Sequence, residues 1–200
     1  NMIGDCSAEV VSSTVPCSTK WMKGTVNSFY IGIIATFIAT VLGTMAALGL
    51  SRPHMPYKAL IMSILISPMI VPLIITAAGM FFFYARINLV YTFTGVILAH
   101  VALATPFVVI TVTATLVGFD MNMVKAAQSL GAKPLRTFFK VIMPLILPGI
   151  ISGALFAFIT SFDEVVIVMF MASIDQLTIP KQMWAGIRQE ISPVILCMAT

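Results

Sequence analysis

Two adjacent carboxylates, Asp163 and Glu164, stand inside an apolar run that extends from Leu145 to Ala172. A charge at the centre of a bilayer costs roughly 2.5–3.5 kcal/mol on insertion scales, so a carboxylate kept there implies a task or a partner. Neighbouring residues of a helix point about 100° apart, and both cannot face one partner. One carboxylate can line a cation pathway or outer gate while the other is buried in a helix–helix hydrogen bond. The structural alternative is a salt bridge to Arg86 or another basic residue. His100 lies in a second apolar run, where it is either a proton relay or a packed residue near the outer end of its span. No Ser, Cys or second His is spaced for a nucleophile or a metal centre, and there is no G-x-x-x-x-G-K-[ST] phosphate loop. The chain is therefore not expected to be an enzyme, to bind ATP or to hold a cofactor or metal.

The elements that carry these residues are membrane-length. Hydrophobic residues make up 60% of the chain and charged residues 9%, against about a quarter charged in an ordinary soluble domain. A run of ~20 apolar residues crosses a ~30 Å hydrocarbon core as a helix. Four such runs are read, at Ser28–Leu50, Ala59–Tyr84, Phe93–Val117 and Leu145–Ala172, and a fifth starts at Pro193. The chain starts at Asn1 and stops early in that fifth run, so it is expected to be a fragment of a longer protein. Pro68 and Pro72 fall on one face of the second run, which predicts one bent helix rather than two half-helices.

Charge orients the loops. Arg52, Lys58, Lys125, Lys133, Arg136 and Lys140 would share one side with Asp120, and Lys20, Lys23, Arg86, Lys181 and Arg188 the other. The excess of Lys and Arg favours a cytoplasmic position for the Lys125 loop. These basic residues flank spans without aromatic interleaving, so they do not point to nucleic acid. Residues 1–27 read as an extracytoplasmic segment, where Cys6 and Cys17 are either a disulfide or two free thiols. Cys197 lies in the last apolar run. Residues 173–192 read as an outer loop in which Met183, Ile187 and Ile191 predict a short amphipathic helix, with Trp184 at the interface.

The polar insert 118–144 is the most patterned loop. Asp120 can cap a helix on which Met123, Ala126, Ala127 and Leu130 recur along one face. Gly131 suits a helix stop, Pro134 suits the first turn of the next helix, and Pro144 is read as the return to the membrane. The small pair Ala126–Ala127 leaves a flat patch for another surface. The alternative is a short helix lying on lipid headgroups.

This insert resembles the EAA loop of the membrane subunits of binding-protein-dependent ABC importers, whose pattern is Glu-Ala-Ala, three residues, Gly, nine residues, Ile-x-Leu-Pro. Ala126, Ala127, Gly131 and Pro144 stand in register, while Lys125 replaces the acid, Val141 the Ile and Met143 the Leu. Ser161 to Val166, Thr178 to Trp184 and Ile187 to Pro193 resemble the spermidine/putrescine permease family, its C-type branch. The resemblance implies an all-α membrane protein, a type I importer helical bundle with about five of the family's six spans present. It implies a second permease subunit, two cytoplasmic ATPases holding ATP and Mg, an extracytoplasmic substrate-binding protein and the bacterial inner membrane. The coupling residues would be Lys125, Ala126, Ala127, Leu130, Gly131 and Pro144, and Asp163 and Glu164 would receive the amines of a polycation. The competing class is an ion-gradient-driven secondary transporter using the same two carboxylates.

Overall fold

The computed structural model describes residues 17–52, 55–118 and 122–189, and every regular element among them is helical. They are α1 (Cys17–Leu50), α2 (Lys58–Ile70), α3 (Leu73–Arg86), α4 (Phe93–Val117), α5 (Asn122–Ser129), α6 (Pro134–Thr137), a π-helical turn (Phe138–Ile142), α7 (Met143–Phe162), α8 (Val166–Met171), a 3-10 turn (Ile174–Gln176) and α9 (Ile179–Gln189). Three helices of the described residues are long and apolar enough to cross a membrane, or four if α2 and α3 count as one broken span.

The core is a trio in which α4 packs against both α1 and α7, which also pack against each other. The sequence of α4 is apolar around most of its circumference, as suits a helix with neighbours on more than one side, and Val96, Ala104, Val108 and Val112 are fully buried. Both flanking helices meet it with small residues at every fourth position. On α1 the ridge is Ala35, Ala39, Gly43 and Ala47, and on α7 it is Gly149, Gly153, Ala157 and Ser161. Small side chains let backbones approach where lipid gives no hydrophobic drive between helices. The approach is tight: a Cβ added at Gly43 would lie 2.7 Å from Val108 Cβ. Hydroxyls from α4 fill the same seam on the other side, where a Cβ at Gly149 or Gly153 would collide with Thr115 or Thr111. The opposite face of α1 exposes Ile33, Phe37 and Met45, suited to lipid or another membrane subunit.

Three expectations are corrected here. The second run is two helices, with α2 and α3 meeting at 103°. Pro68 is absorbed inside α2, because the Ser67 hydroxyl donates to Ile64 O (2.8 Å), the carbonyl whose usual donor proline lacks. Pro72 is not absorbed. A residue before proline is driven from the helical region, and Val71 is extended at ψ 136°. The last bond of α2 runs from Val71 N to Ser67 O, and Pro72 O accepts the first bonds of α3 from Ile75 and Thr76.

The fourth run also differs. Its helix is continuous from Pro134 to Phe162, so it starts well ahead of the expected Leu145 and holds Pro144 in its interior. Since Pro144 offers no N–H, the helix widens just before it, and Met143 N bonds back to Phe138 O. The run then breaks at Asp163–Val165, ahead of a separate α8. Finally, the first helix starts at Cys17 rather than at the expected Ser28, so residues 17–27 are the first turns of α1. They pack against α9, where a Cβ at Gly24 would lie 2.8 Å from Gln182 Nε2.

Candidate functional site

The two regions singled out in the sequence lie at opposite ends of the trio. At one end α5 follows the C-terminus of α4 and contacts α6 and the π turn, with no buried residue of its own. Its stop is a Schellman motif built on Gly131. Ala132 N donates to Ala127 O (3.1 Å), and Gly131 N donates to Gln128 O (2.9 Å). Such a turn needs a left-handed residue, and Gly131 has φ 78°. Pro134 opens α6 as expected, at its first position. Lys125, Ala126 and Leu130 are exposed, Leu130 at 90%, while Ala127 is half-buried. Lys133, Arg136 and Lys140 in the following segment are exposed as well. Asp120, the expected cap of α5, lies outside the described residues, as do the pairing of Cys6 with Cys17, Cys197, the side chains of Ile187 and Arg188, Ile191 and the run from Pro193.

At the other end the carboxylates fall at the break between α7 and α8. They point apart, Asp163 exposed and Glu164 8% exposed. Glu164 Oε1 accepts from Ile167 N (3.0 Å), the second residue of α8. It therefore satisfies an orphan donor at a helix start, a local bond rather than one across helices. No ion pair joins either carboxylate to Arg86 or another basic residue among the described residues. The other end of α8 is also satisfied. Lys181 Nζ donates to Val168 O (3.1 Å) and Ala172 O (3.4 Å), and Tyr91 N donates to Met171 O (2.9 Å). Burial pushes the Lys181 ammonium below the ordinary lysine pKa range.

A set of side chains ties this end together. Asn27 Nδ2 donates to Asp175 O (2.8 Å) and Leu177 O (3.1 Å), and Ser28 Oγ accepts from Ile179 N (2.9 Å). Gln176 Nε2 donates to Tyr91 O (2.7 Å), while its Oε1 accepts from Ser173 N. Sequence reading missed Asn27, Ser28, Gln176 and Lys181. Only the Ser173-to-Gln176 spacing, a capping-box pattern, was a usable signal.

His100 is packed, 1% exposed, with Nδ1 2.8 Å from Ser161 Oγ on the α7 ridge. Nε2 has no hydrogen-bond partner among the described residues. Those residues include no cluster of three His, Cys, Asp or Glu that could hold a metal.

The described residues thus form an all-helical bundle with membrane-length helices, an exposed amphipathic helix at one end and a carboxylate at a helix break at the other. Residues 39–200 match the family described as "Binding-protein-dependent transport system inner membrane component". The chain is 29% identical over 179 residues to the spermidine/putrescine transport system permease protein PotC of Haemophilus influenzae, covering 90% of this chain and 70% of that one. It is 29% identical over 211 residues to the putrescine transport system permease protein PotI of Escherichia coli K12, covering 97% and 75%. Among solved structures it is similar to an inward-facing MetNI methionine ABC transporter, with a TM-score of 0.73 and 18% identity over 93% of this chain and 88% of that one. The chain belongs to the family of inner membrane components of binding-protein-dependent transport systems. It is a permease subunit of the bacterial inner membrane, working with a separate ATPase and a substrate-binding protein. That membership leaves the ion-gradient reading without support.

Proposed function

We propose that this subunit imports polyamines such as spermidine or putrescine, the substrates named for its relatives. The observation that carries the reading is Asp163, an exposed carboxylate at a helix break within an apolar bundle. An ammonium group passing that break would gain a charge-assisted hydrogen bond, worth about 1.5–3 kcal/mol. Asp163 is the residue assigned to meet the substrate; Glu164 belongs to the gate that carries it.

The α5 end faces the cytoplasm in this reading. Ala126, Ala127 and Leu130 form the docking face of the ATPase, Gly131 fixes the turn, Lys125 is the charge at its centre, and Pro144 sets the helix that transmits the movement. Two ATPases, each holding ATP and Mg, and a second permease subunit complete the membrane complex. The binding protein delivers substrate at the α8–α9 end. Residues 28–200 would then make up the transmembrane domain, with the coupling loop at 118–144.

The test uses the whole complex reconstituted with its binding protein and labelled spermidine. Asp163→Asn is expected to lower the uptake rate by about tenfold or more, with the ATPase still co-purifying. Wild-type uptake by this variant removes Asp163 from the pathway. Absence of both spermidine uptake and spermidine-stimulated ATP hydrolysis in the wild-type complex overturns the polyamine assignment.

A further inference from the structure

The short helix α8 carries an anionic acceptor at its start and a cationic donor at its end. Glu164 accepts from Ile167 N, and the Lys181 ammonium, thirteen residues beyond Val168, donates to both Val168 O and Ala172 O. Six residues are too few for a helix to persist on its own propensity. Ile167, Val168 and Met171 are buried. The bond at the start of α8 is buried and those at its end are part-buried, with Val168 O also accepting from Ala172 N. Unpaired N–H and C=O groups in such places are costly. Both charges have the sign that a helix dipole favours at their ends. Neither charge has a counter-ion among the described residues, so their partners are the helix ends themselves. We propose that Glu164 and Lys181 are positioning residues for transport, which clamp α8 from its two ends and so fix where the adjacent Asp163 stands. This rests on the assignment of Asp163 to the substrate path.

The clamp makes Glu164 and Asp163 unequal. A glutamine at 164 keeps an oxygen able to accept from Ile167 N, whereas a leucine does not. A methionine at 181 keeps the apolar stem of the lysine and removes the donor. Neither side chain would touch substrate, so losing either should lower the maximal rate and leave the apparent KM, which the binding protein dominates, within about twofold.

Uptake by the full complex is measured for Glu164→Gln, Glu164→Leu, Lys181→Met and the Glu164→Leu/Lys181→Met pair. Release of the clamp is read directly by thiol labelling of Met171→Cys, in chains whose Cys6, Cys17 and Cys197 are serine. The expected result is near wild-type uptake for Glu164→Gln and a loss of about fivefold, the size of one helix cap, for each of the other single variants. Met171→Cys should label about fivefold faster in the Lys181→Met chain, and the pair should lose less than the product of the singles. A loss with Glu164→Gln equal to that with Glu164→Leu, with a raised KM, overturns the proposal and makes Glu164 a cation site. Unchanged labelling and uptake with Lys181→Met overturns it equally. The labelling needs no substrate, so it separates failure of the clamp from failure of the polyamine reading. If Glu164→Leu does not assemble, Lys181→Met carries the test alone.

Discussion

Gly131 shows what one residue contributes at the coupling end. Its φ of 78° is left-handed, and an added Cβ there would meet nothing within 4 Å. The cost of substitution is therefore backbone strain alone, about 1–2 kcal/mol for an ordinary L residue. Gly131→Val should loosen the stop of α5, while Gly131→Asn, which tolerates the left-handed region, should hold it. In the reconstituted complex we expect Gly131→Val to keep basal ATP hydrolysis and lose several-fold in uptake, with Gly131→Asn close to wild type. Equal behaviour of the two variants would show that the turn geometry is not what couples. This glycine was legible in the sequence, since a helix stop depends on local chemistry. Lys181 and Asn27 were not, because their partners are backbone carbonyls brought near only by the folded chain.

Helices were legible as apolar runs, but their breaks were only half legible. Pro68 and Pro72 are the same residue type four positions apart, yet one is absorbed and the other turns the chain through 103°. The difference is the Ser67 hydroxyl, which repairs the bond Pro68 removes. The break at Asp163–Val165 gave no proline or glycine signal at all. The seams of the core were equally hidden, because composition does not say which small residues face a neighbour. They give a sharp prediction. Valine at Gly43 would force its branched Cβ against Val108, and Gly153→Val would press into Thr111 and the Val108 backbone. Each should destabilise the bundle by about 1–3 kcal/mol, the usual cost of overpacking, and lower the thermal midpoint of the purified complex in detergent. Gly79→Val is the control, because its Cβ would meet nothing within 4 Å. Equal midpoints for all three variants would refute tight packing of α1 and α7 on α4.

For the whole molecule, orientation is the property on which every functional assignment depends. Counting Lys and Arg near the span ends gives six on one side and five on the other, a thin margin for a rule that needs an excess. Geometry offers a cleaner handle, because α1, α4 and α7 separate two groups of connections. Leu130 follows α5, beyond the C-terminus of α4, and Ile174 lies beside the start of α1, where Asn27 holds Asp175. The two side chains are 90% and 86% exposed, so a cysteine at either would be reached without disturbing the core. With the α5 end in the cytoplasm, a membrane-impermeant maleimide should label Ile174→Cys in intact cells and Leu130→Cys only after permeabilisation. Adding the ATPase subunit to stripped membranes should then slow labelling at Leu130→Cys and leave Ile174→Cys unchanged. The reverse pattern in intact cells would put α5 outside. ATPase docking on Ala126, Ala127 and Leu130 would fall with it, whatever the uptake assays had shown.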